Sequence, residues 1–334
     1  MTIETPTPLE LELAEFEDDL SGRHVAAIGG GHGLAAALTA IRGYAGDTTA
    51  IVSVADDGGS SGRLTTGLGI PAPGDIRRCL LALTPDVSVW SELFSYRFRT
   101  DVGTADPSDP VDIAGHSLGN LIIAALTDLA GDFASAVSWA GGLLGAMGRV
   151  VPAAGGAVTL AALVDGRLVE GQVNIAAGRG RIDRLEIGPA GVTAHPDAIA
   201  AIQAADQIVL APGSLYTSVL AALAVPGIAE AVNESTAPLV VVLNMVTEDG
   251  ETLGLDGIAH LEAFHRVGGL QRAGGIVVHE GRTPVSPPLD GVTLDDAEAA
   301  GYGWTVIRAD VADESAPRAM HDPAKLCSVL ATLI

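Results

Sequence analysis

Short apolar runs closed by Gly, Pro or Asp recur along the chain at 25–28, 49–55, 207–211, 239–244, 275–279 and 305–309. Runs this short and this continuously apolar predict buried strands, and helical periodicity fills most of the intervals. Alternation of strand and helix predicts an α/β, doubly wound, mostly parallel sheet. Between 157 and 175 the period changes to two: Val158, Leu160, Ala162 and Val164 precede an Asp165-Gly166 turn, followed by Leu168, Val169, Val173 and Ile175. That pattern predicts an inserted antiparallel β-hairpin. The block from 117 to 147 reads as two or more helices closing at Gly148.

In such a sheet, ligands bind at loops beyond the carboxyl ends of strands, and several of these loops are rich in glycine and hydroxyl groups. Gly29-Gly30-Gly31-His32-Gly33 links the first run to a helical pattern from Leu34 to Arg42. It is not the G-x-G-x-x-G fingerprint, but residues without Cβ still let a backbone approach a phosphate at a helix start. A tight turn without a ligand is the competing reading. Asp56 and Asp57 follow the second run and lead into Gly58-Gly59-Ser60-Ser61-Gly62-Arg63. The two carboxylates suit a ribose or a Mg²⁺ ion, or alternatively cap a turn.

Asp75 is placed to cap a helix whose first turn carries Arg77 and Arg78. Cations there oppose the helix dipole, so they suggest an anionic ligand or an ion pair with nearby acids. Gly213, Ser214, Thr217 and Ser218 form a third strand-to-helix turn able to cradle a diphosphate or to serve as a plain cap, and Asn244 and Thr247 follow the next strand. Gly115-His116-Ser117-Leu118-Gly119 spells the G-x-S-x-G nucleophile elbow. The elbow must follow a strand, however, and residues 106–114 are loop-forming, so His116, Ser117 and Asn120 are better read as a helix start facing a ligand.

A net charge of −23 with Lys325 as the sole lysine excludes a phosphate-neutralising nucleic-acid surface. Any anionic ligand must then be gripped locally by amides and a few arginines. Cys79 and Cys327 sit in apolar contexts and read as reduced residues of a cytoplasmic protein. No signal peptide is expected, and no membrane span either, because turns at Pro212-Gly213 and Pro226-Gly227 break the uncharged stretch 207–229. Residues 1–21, with Thr5-Pro6-Thr7-Pro8 and then Glu10, Glu12, Glu15, Glu17, Asp18 and Asp19, read as a flexible acidic tail, and 22–334 as one folded unit.

Taken in order, G-G-G-x-G, V-A-D-D-G-G-S-S-G-R, P-G-D-I-R, G-H-S-L-G-N and P-G-S-L-Y-T-S resemble the YvcK family of bacterial gluconeogenesis factors, from about Arg23 onward. That family is related to CofD, the 2-phospho-L-lactate transferase of coenzyme F420 synthesis. The lone lysine and the alanine content suggest an actinobacterial member. The resemblance implies a Rossmann-like fold and a cytosolic regulator that binds UDP-sugars, notably UDP-N-acetylglucosamine, and supports gluconeogenic growth, cell-wall synthesis and cell shape. No required cofactor and no firm reaction are implied. A homo-oligomer, with a cell-wall or regulatory protein as partner, is expected.

The alternative is a Mg²⁺-dependent phospholactyl transferase, with Asp56 and Asp57 on the metal. The implied ligand-binding set is Gly30, Gly31, His32, Gly33, Asp56, Asp57, Ser60, Ser61, Arg63, Asp75, Arg77, His116, Ser117, Asn120, Gly213, Ser214, Thr217 and Asn244. Two departures bear on it. Leu255 replaces a family tyrosine, and Met320, before His321 and Asp322, replaces a family arginine.

Overall fold

Seven parallel strands form the central sheet in the order β10-β9-β8-β7-β1-β2-β3. They are β1 (His24–Gly29), β2 (Asp47–Val52), β3 (Arg149–Pro152), β7 (Gln207–Leu210), β8 (Leu239–Val242), β9 (Gly275–His279) and β10 (Thr305–Ala309). The computed structural model describes residues 22–99, 113–283 and 285–334. The expected acidic tail over 1–21 lies outside the described residues.

Side chains of β1, β7 and β8 are buried throughout, as a sheet covered on both faces requires. The helix Gly31–Ile41 packs against the helices Pro73–Ala82 and Pro323–Ala331. The helices Leu118–Ala130 and Phe133–Leu144 pair with each other, and the second also covers β3. All six expected strands are present. The seventh, β3, is not marked by the apolar pattern because only Val150, Val151 and Pro152 of it are buried.

The inserted hairpin is β4 (Thr159–Val164) with β5 (Arg167–Glu170), turning at Asp165-Gly166. A further strand, β6 (Ile182–Gly188), pairs with the other edge of β4 to make a three-stranded antiparallel sheet. One detail of the expectation is corrected. Val173 and Ile175 lie on a short helix, Gln172–Ala177, whose start is fixed by Asp57: its Oδ1 accepts the Val173 N–H at 3.0 Å.

Among the described residues no single helix is long and apolar enough to cross a membrane. The uncharged stretch 207–229 becomes a strand, a turn and helical segments. The segments Leu215–Leu223 and Ile228–Glu234 meet at 71°, and the first is buried along its whole length.

Candidate functional site

Strand order reverses between β1 and β7, so the loops leaving these strands diverge and open a crevice at their carboxyl ends. A cavity of about 670 Å³ lies there. One wall is Gly31, His32 and Gly33 with Ser214 and Ser218; the facing wall is Thr247, Glu248 and the segment from Pro317 to His321.

The glycine loop and the third turn are in direct contact. A Cβ on Gly33 would overlap the Pro212 carbonyl, and one on Gly30 would press on the Asp75 carboxylate and on Ser218. Only glycine permits this approach. The helix Gly31–Ile41 begins three residues earlier than its apolar pattern indicates. Its first amide is already occupied, because Gly31 N–H donates to Asp75 Oδ2 at 2.7 Å. Asp75 therefore caps this helix and not its own, whose N-cap is Ala72. The amides of His32 and Gly33 follow in the same first turn, where a helix supplies no internal acceptor.

Side chains also occupy the third turn. Asn244 brackets Gly213, its Oδ1 accepting the Gly213 N–H at 2.8 Å and its Nδ2 donating to the Gly213 carbonyl at 2.7 Å. Glu251 Oε2 accepts the Tyr216 and Thr217 amides at 2.9 and 3.2 Å, while the Thr217 hydroxyl donates to Oε1. The expected diphosphate cradle at Thr217 is thus filled by a carboxylate of the chain itself. Burial pushes Glu251 above the usual carboxylate range. Its neighbour Glu248, which lines the cavity, is raised to about 7 by burial first and then by Glu251, while a hydrogen bond with Ser214 acts against the shift.

Asp56 and Asp57 part company. Asp56 Oδ1 accepts the Gly58 N–H at 2.9 Å, and burial followed by the nearby Asp75 carboxylate raises its pKa above the usual range. Asp57 is engaged by Val173, as described above. Among the described residues no group of three His, Cys, Asp or Glu side chains is arranged to hold a metal ion.

Ser60, Arg77, His116, Ser117 and Asn120 form one buried network that does not line the cavity. Ser60 Oγ lies 2.9 Å from His116 Nδ1 and accepts from Asn120 Nδ2 at 3.2 Å and from the Ser117 amide at 3.3 Å. Arg77 Nε donates to Asn120 Oδ1 at 3.0 Å, and its NH1 donates to the Phe94 carbonyl at 3.2 Å. Burial, then Arg78, lowers Arg77 to about 10, which leaves it charged at neutral pH. Arg78 pairs with Asp75, and Arg63 NH2 donates to the Ala114 carbonyl at 2.8 Å. The arginines of the Pro-Gly-Asp segment therefore face partners within the fold. Ser61 is buried and bonded to Asp56. Among the described residues no strand leads into Ser117, which is 1% exposed and aims its hydroxyl at the Phe94 carbonyl, unlike the exposed serine of a nucleophile elbow.

Of the sequence-derived set, Gly31, His32, Gly33 and Ser214 line the cavity, and Gly30, Asp75, Gly213, Thr217 and Asn244 support its walls. Glu248 and His321 are cavity residues that the expected set omits. The acidic run Glu248-Asp249-Gly250-Glu251, directly after a strand and its exit loop, was the available signal. Arg318 makes no hydrogen bond or ion pair among the described residues and is the arginine of the cavity lining. It lies near His32, which burial, then Arg78 and Arg318, hold below the ordinary imidazole range. Tyr302, which could have supplied the aromatic missing at Leu255, donates instead to Glu262 Oε1 at 3.0 Å and is not part of the cavity.

Residues 25–311 match the family described as 2-phospho-L-lactate transferase CofD. A Bacillus subtilis gluconeogenesis factor is 38% identical over 321 residues, covering 93% of this chain and 98% of that protein. A putative gluconeogenesis factor of Mycobacterium tuberculosis is likewise 38% identical, over 92% of this chain and 89% of its own length. The crystal structure of a UPF0052 family member from Bacillus halodurans superposes with a TM-score of 0.83 at 35% identity, covering 92% of this chain and 98% of that one. Matched by the family model over residues 25–311 and by relatives along nearly its whole length, the chain belongs to the CofD family and groups there with the YvcK-type gluconeogenesis factors.

Proposed function

We propose that the chain is a cytoplasmic regulator of gluconeogenic growth, cell-wall synthesis and cell shape that binds a UDP-sugar, UDP-N-acetylglucosamine in particular, in the cavity at the β1/β7 crevice. The observation that carries this reading is the pairing of the His32 and Gly33 amides on one wall with the uncommitted Arg318 guanidinium on the other. Together they suit a diphosphate without a basic surface. A volume of about 670 Å³ is of the size that takes a small ligand.

A melt in the presence of UDP-N-acetylglucosamine tests it. Ligand at a hundredfold excess over its dissociation constant stabilises the folded state by about 2.7 kcal/mol. An unchanged melting temperature at millimolar UDP-sugars would remove the proposal. The family description also names a transferase, and a Mg²⁺ ion in that reading would rest on Asp56 or Asp57, each of which already accepts one backbone N–H, from Gly58 and from Val173 respectively. A phosphate-bound Mg²⁺ needs only one or two carboxylates. Metal-dependent turnover of a phospholactyl-guanosine-type donor, lost in Asp56→Asn or in Asp57→Asn, would favour that second reading.

A further inference from the structure

Glu248 places a carboxyl group in the wall of a cavity whose glycine loop and Arg318 suit an anion. Its main chain is fixed by a tight turn: the Glu248 N–H donates to the Thr252 hydroxyl at 2.7 Å, and the Glu248 carbonyl accepts the Thr252 N–H at 3.0 Å. Thr252 is fully buried, so the side chain of Glu248 is presented from a firm base.

Three neighbouring acids are committed within the fold. Asp75 is taken by the Gly31 amide and Arg78, Glu251 by the Tyr216 and Thr217 amides, and Asp249 by Arg179 at 2.6 Å. For the Glu248 carboxyl the one hydrogen-bond partner among the described residues is the Ser214 hydroxyl, and Ser214 itself lines the cavity. An ionised carboxyl offers about four acceptor positions, so most of its capacity is left to a ligand.

The cavity therefore has two parts of opposite preference. Arg318 lies near His32, beside the amides of the helix start, and this part attracts negative charge. Glu248 and Ser214 form a part that repels it, because like charges in a partly enclosed site are weakly screened. What rests against Glu248 must be neutral and rich in hydrogen-bond donors.

We propose that Glu248 is the residue by which the cavity selects a sugar. Its carboxylate accepts hydrogen bonds from the hydroxyl groups of a neutral pyranose attached to the diphosphate, and it turns away a nucleotide that carries a further phosphate at that place. The inference rests on the diphosphate placement proposed above and gives the ligand a direction, with phosphates toward His32 and Arg318 and the sugar toward Glu248 and Ser214. Discrimination of this kind combines an attractive and a repulsive element, and one carboxylate supplies both.

Calorimetric titration of the full chain with UDP-N-acetylglucosamine, UDP and UTP tests this in the wild type, Glu248→Gln and Glu248→Ala. Metal-free buffer at pH 8 keeps the phosphates unmasked and the Glu248 carboxyl, with its pKa of about 7, mostly ionised. The wild type is expected to bind the UDP-sugar about tenfold more tightly than UDP, a difference that one charge-assisted hydrogen bond can supply, and to bind UTP most weakly. Glu248→Gln removes the charge and keeps the shape, so UTP should gain about tenfold relative to the UDP-sugar. In Glu248→Ala the acceptor is lost as well, and the advantage of the UDP-sugar over UDP should disappear. UTP bound by the wild type as tightly as the UDP-sugar, or a ratio between them that is the same in all three proteins, would overturn this proposal and leave the UDP-sugar reading standing. Failure of the wild type to bind any of the three would overturn both. The wild-type ranking decides even where a variant does not fold.

Discussion

Asp75 Oδ2 accepts the Gly31 amide at 2.7 Å across 44 residues of chain, so the first N–H of the glycine loop is closed by a carboxylate of the protein itself. The same carboxylate pairs with Arg78 and touches the space above Gly30. One buried side chain therefore fixes the helix start, the glycine loop and an arginine together.

Removing that side chain should unsettle all three. Asp75→Ala leaves the Gly31 N–H and the Arg78 guanidinium without their partner, a loss of about 1–3 kcal/mol. Asp75→Asn retains an acceptor for the amide and should cost less. Urea midpoints for the two variants, with the Ala form the lower, provide the check; equal midpoints would show that the cap is immaterial.

Two glycines of the same loop should respond very differently to alanine. At Gly33 a methyl group would overlap the Pro212 carbonyl, and the two strand-end loops could not remain in contact. At Gly31 there is open space, and the strain comes only from a φ of 64°. Gly31→Ala should fold with a loss of about 1 kcal/mol, the rough cost of a left-handed non-glycine residue. Gly33→Ala should lose several times more or fail to accumulate. Calorimetric melts of the two proteins separate these outcomes.

Much of this architecture was legible in the sequence. Five of the six expected strands end at or within two residues of the apolar run, and the hairpin turn at Asp165-Gly166 is where the change of period put it. Strand β3 escaped because four residues carry no period, and β6 because Asp183, Arg184 and Glu186 interrupt its apolar positions with ion-paired charge. The glycine and hydroxyl loops marked the ligand edge, but not what occupies their amides. Asp75 reaches Gly31, and Glu251 reaches Thr217 across 34 residues; local pattern holds no record of such pairings. The network of Ser60 and His116 looked like a ligand face for the same reason, since polar residues packed against one another read like polar residues awaiting a partner.

Glu248 sets a pH dependence whose sign follows from its burial. In the folded protein it keeps its proton up to about pH 7, whereas a carboxyl at its ordinary value loses it near 4.5. Between these limits the folded state binds the additional proton, so stability should fall as pH rises through this window. The full effect is on the order of 3 kcal/mol at most. Glu248→Gln is neutral throughout and should show a smaller loss of melting temperature between pH 5 and pH 8. Parallel curves for wild type and variant would assign the dependence to other groups.

Ser117 should be inert despite its motif. Its hydroxyl is enclosed and directed at the Phe94 carbonyl, whereas an activated serine donates to a base. A fluorophosphonate probe is expected to leave the protein unlabelled, as read by intact mass. Stoichiometric labelling at Ser117 would require the network to open.

Arg318 brings a guanidinium to the cavity and Met320 brings none. Both line it, two residues apart on the wall facing the glycine loop, and Arg318 is uncommitted to any partner among the described residues. If a diphosphate lies between them and the His32 and Gly33 amides, Arg318→Ala removes a charge-assisted hydrogen bond of about 1.5–3 kcal/mol. Affinity for UDP-N-acetylglucosamine should then fall about tenfold or more, while the melting temperature of the free protein stays unchanged because the side chain supports nothing internal. Met320→Arg adds a guanidinium to the same wall and should tighten binding in return. Calorimetric titration of the three proteins decides the matter: equal affinities would place the phosphates elsewhere, and a fall confined to Arg318→Ala would show that position 320 faces a part of the ligand that carries no charge.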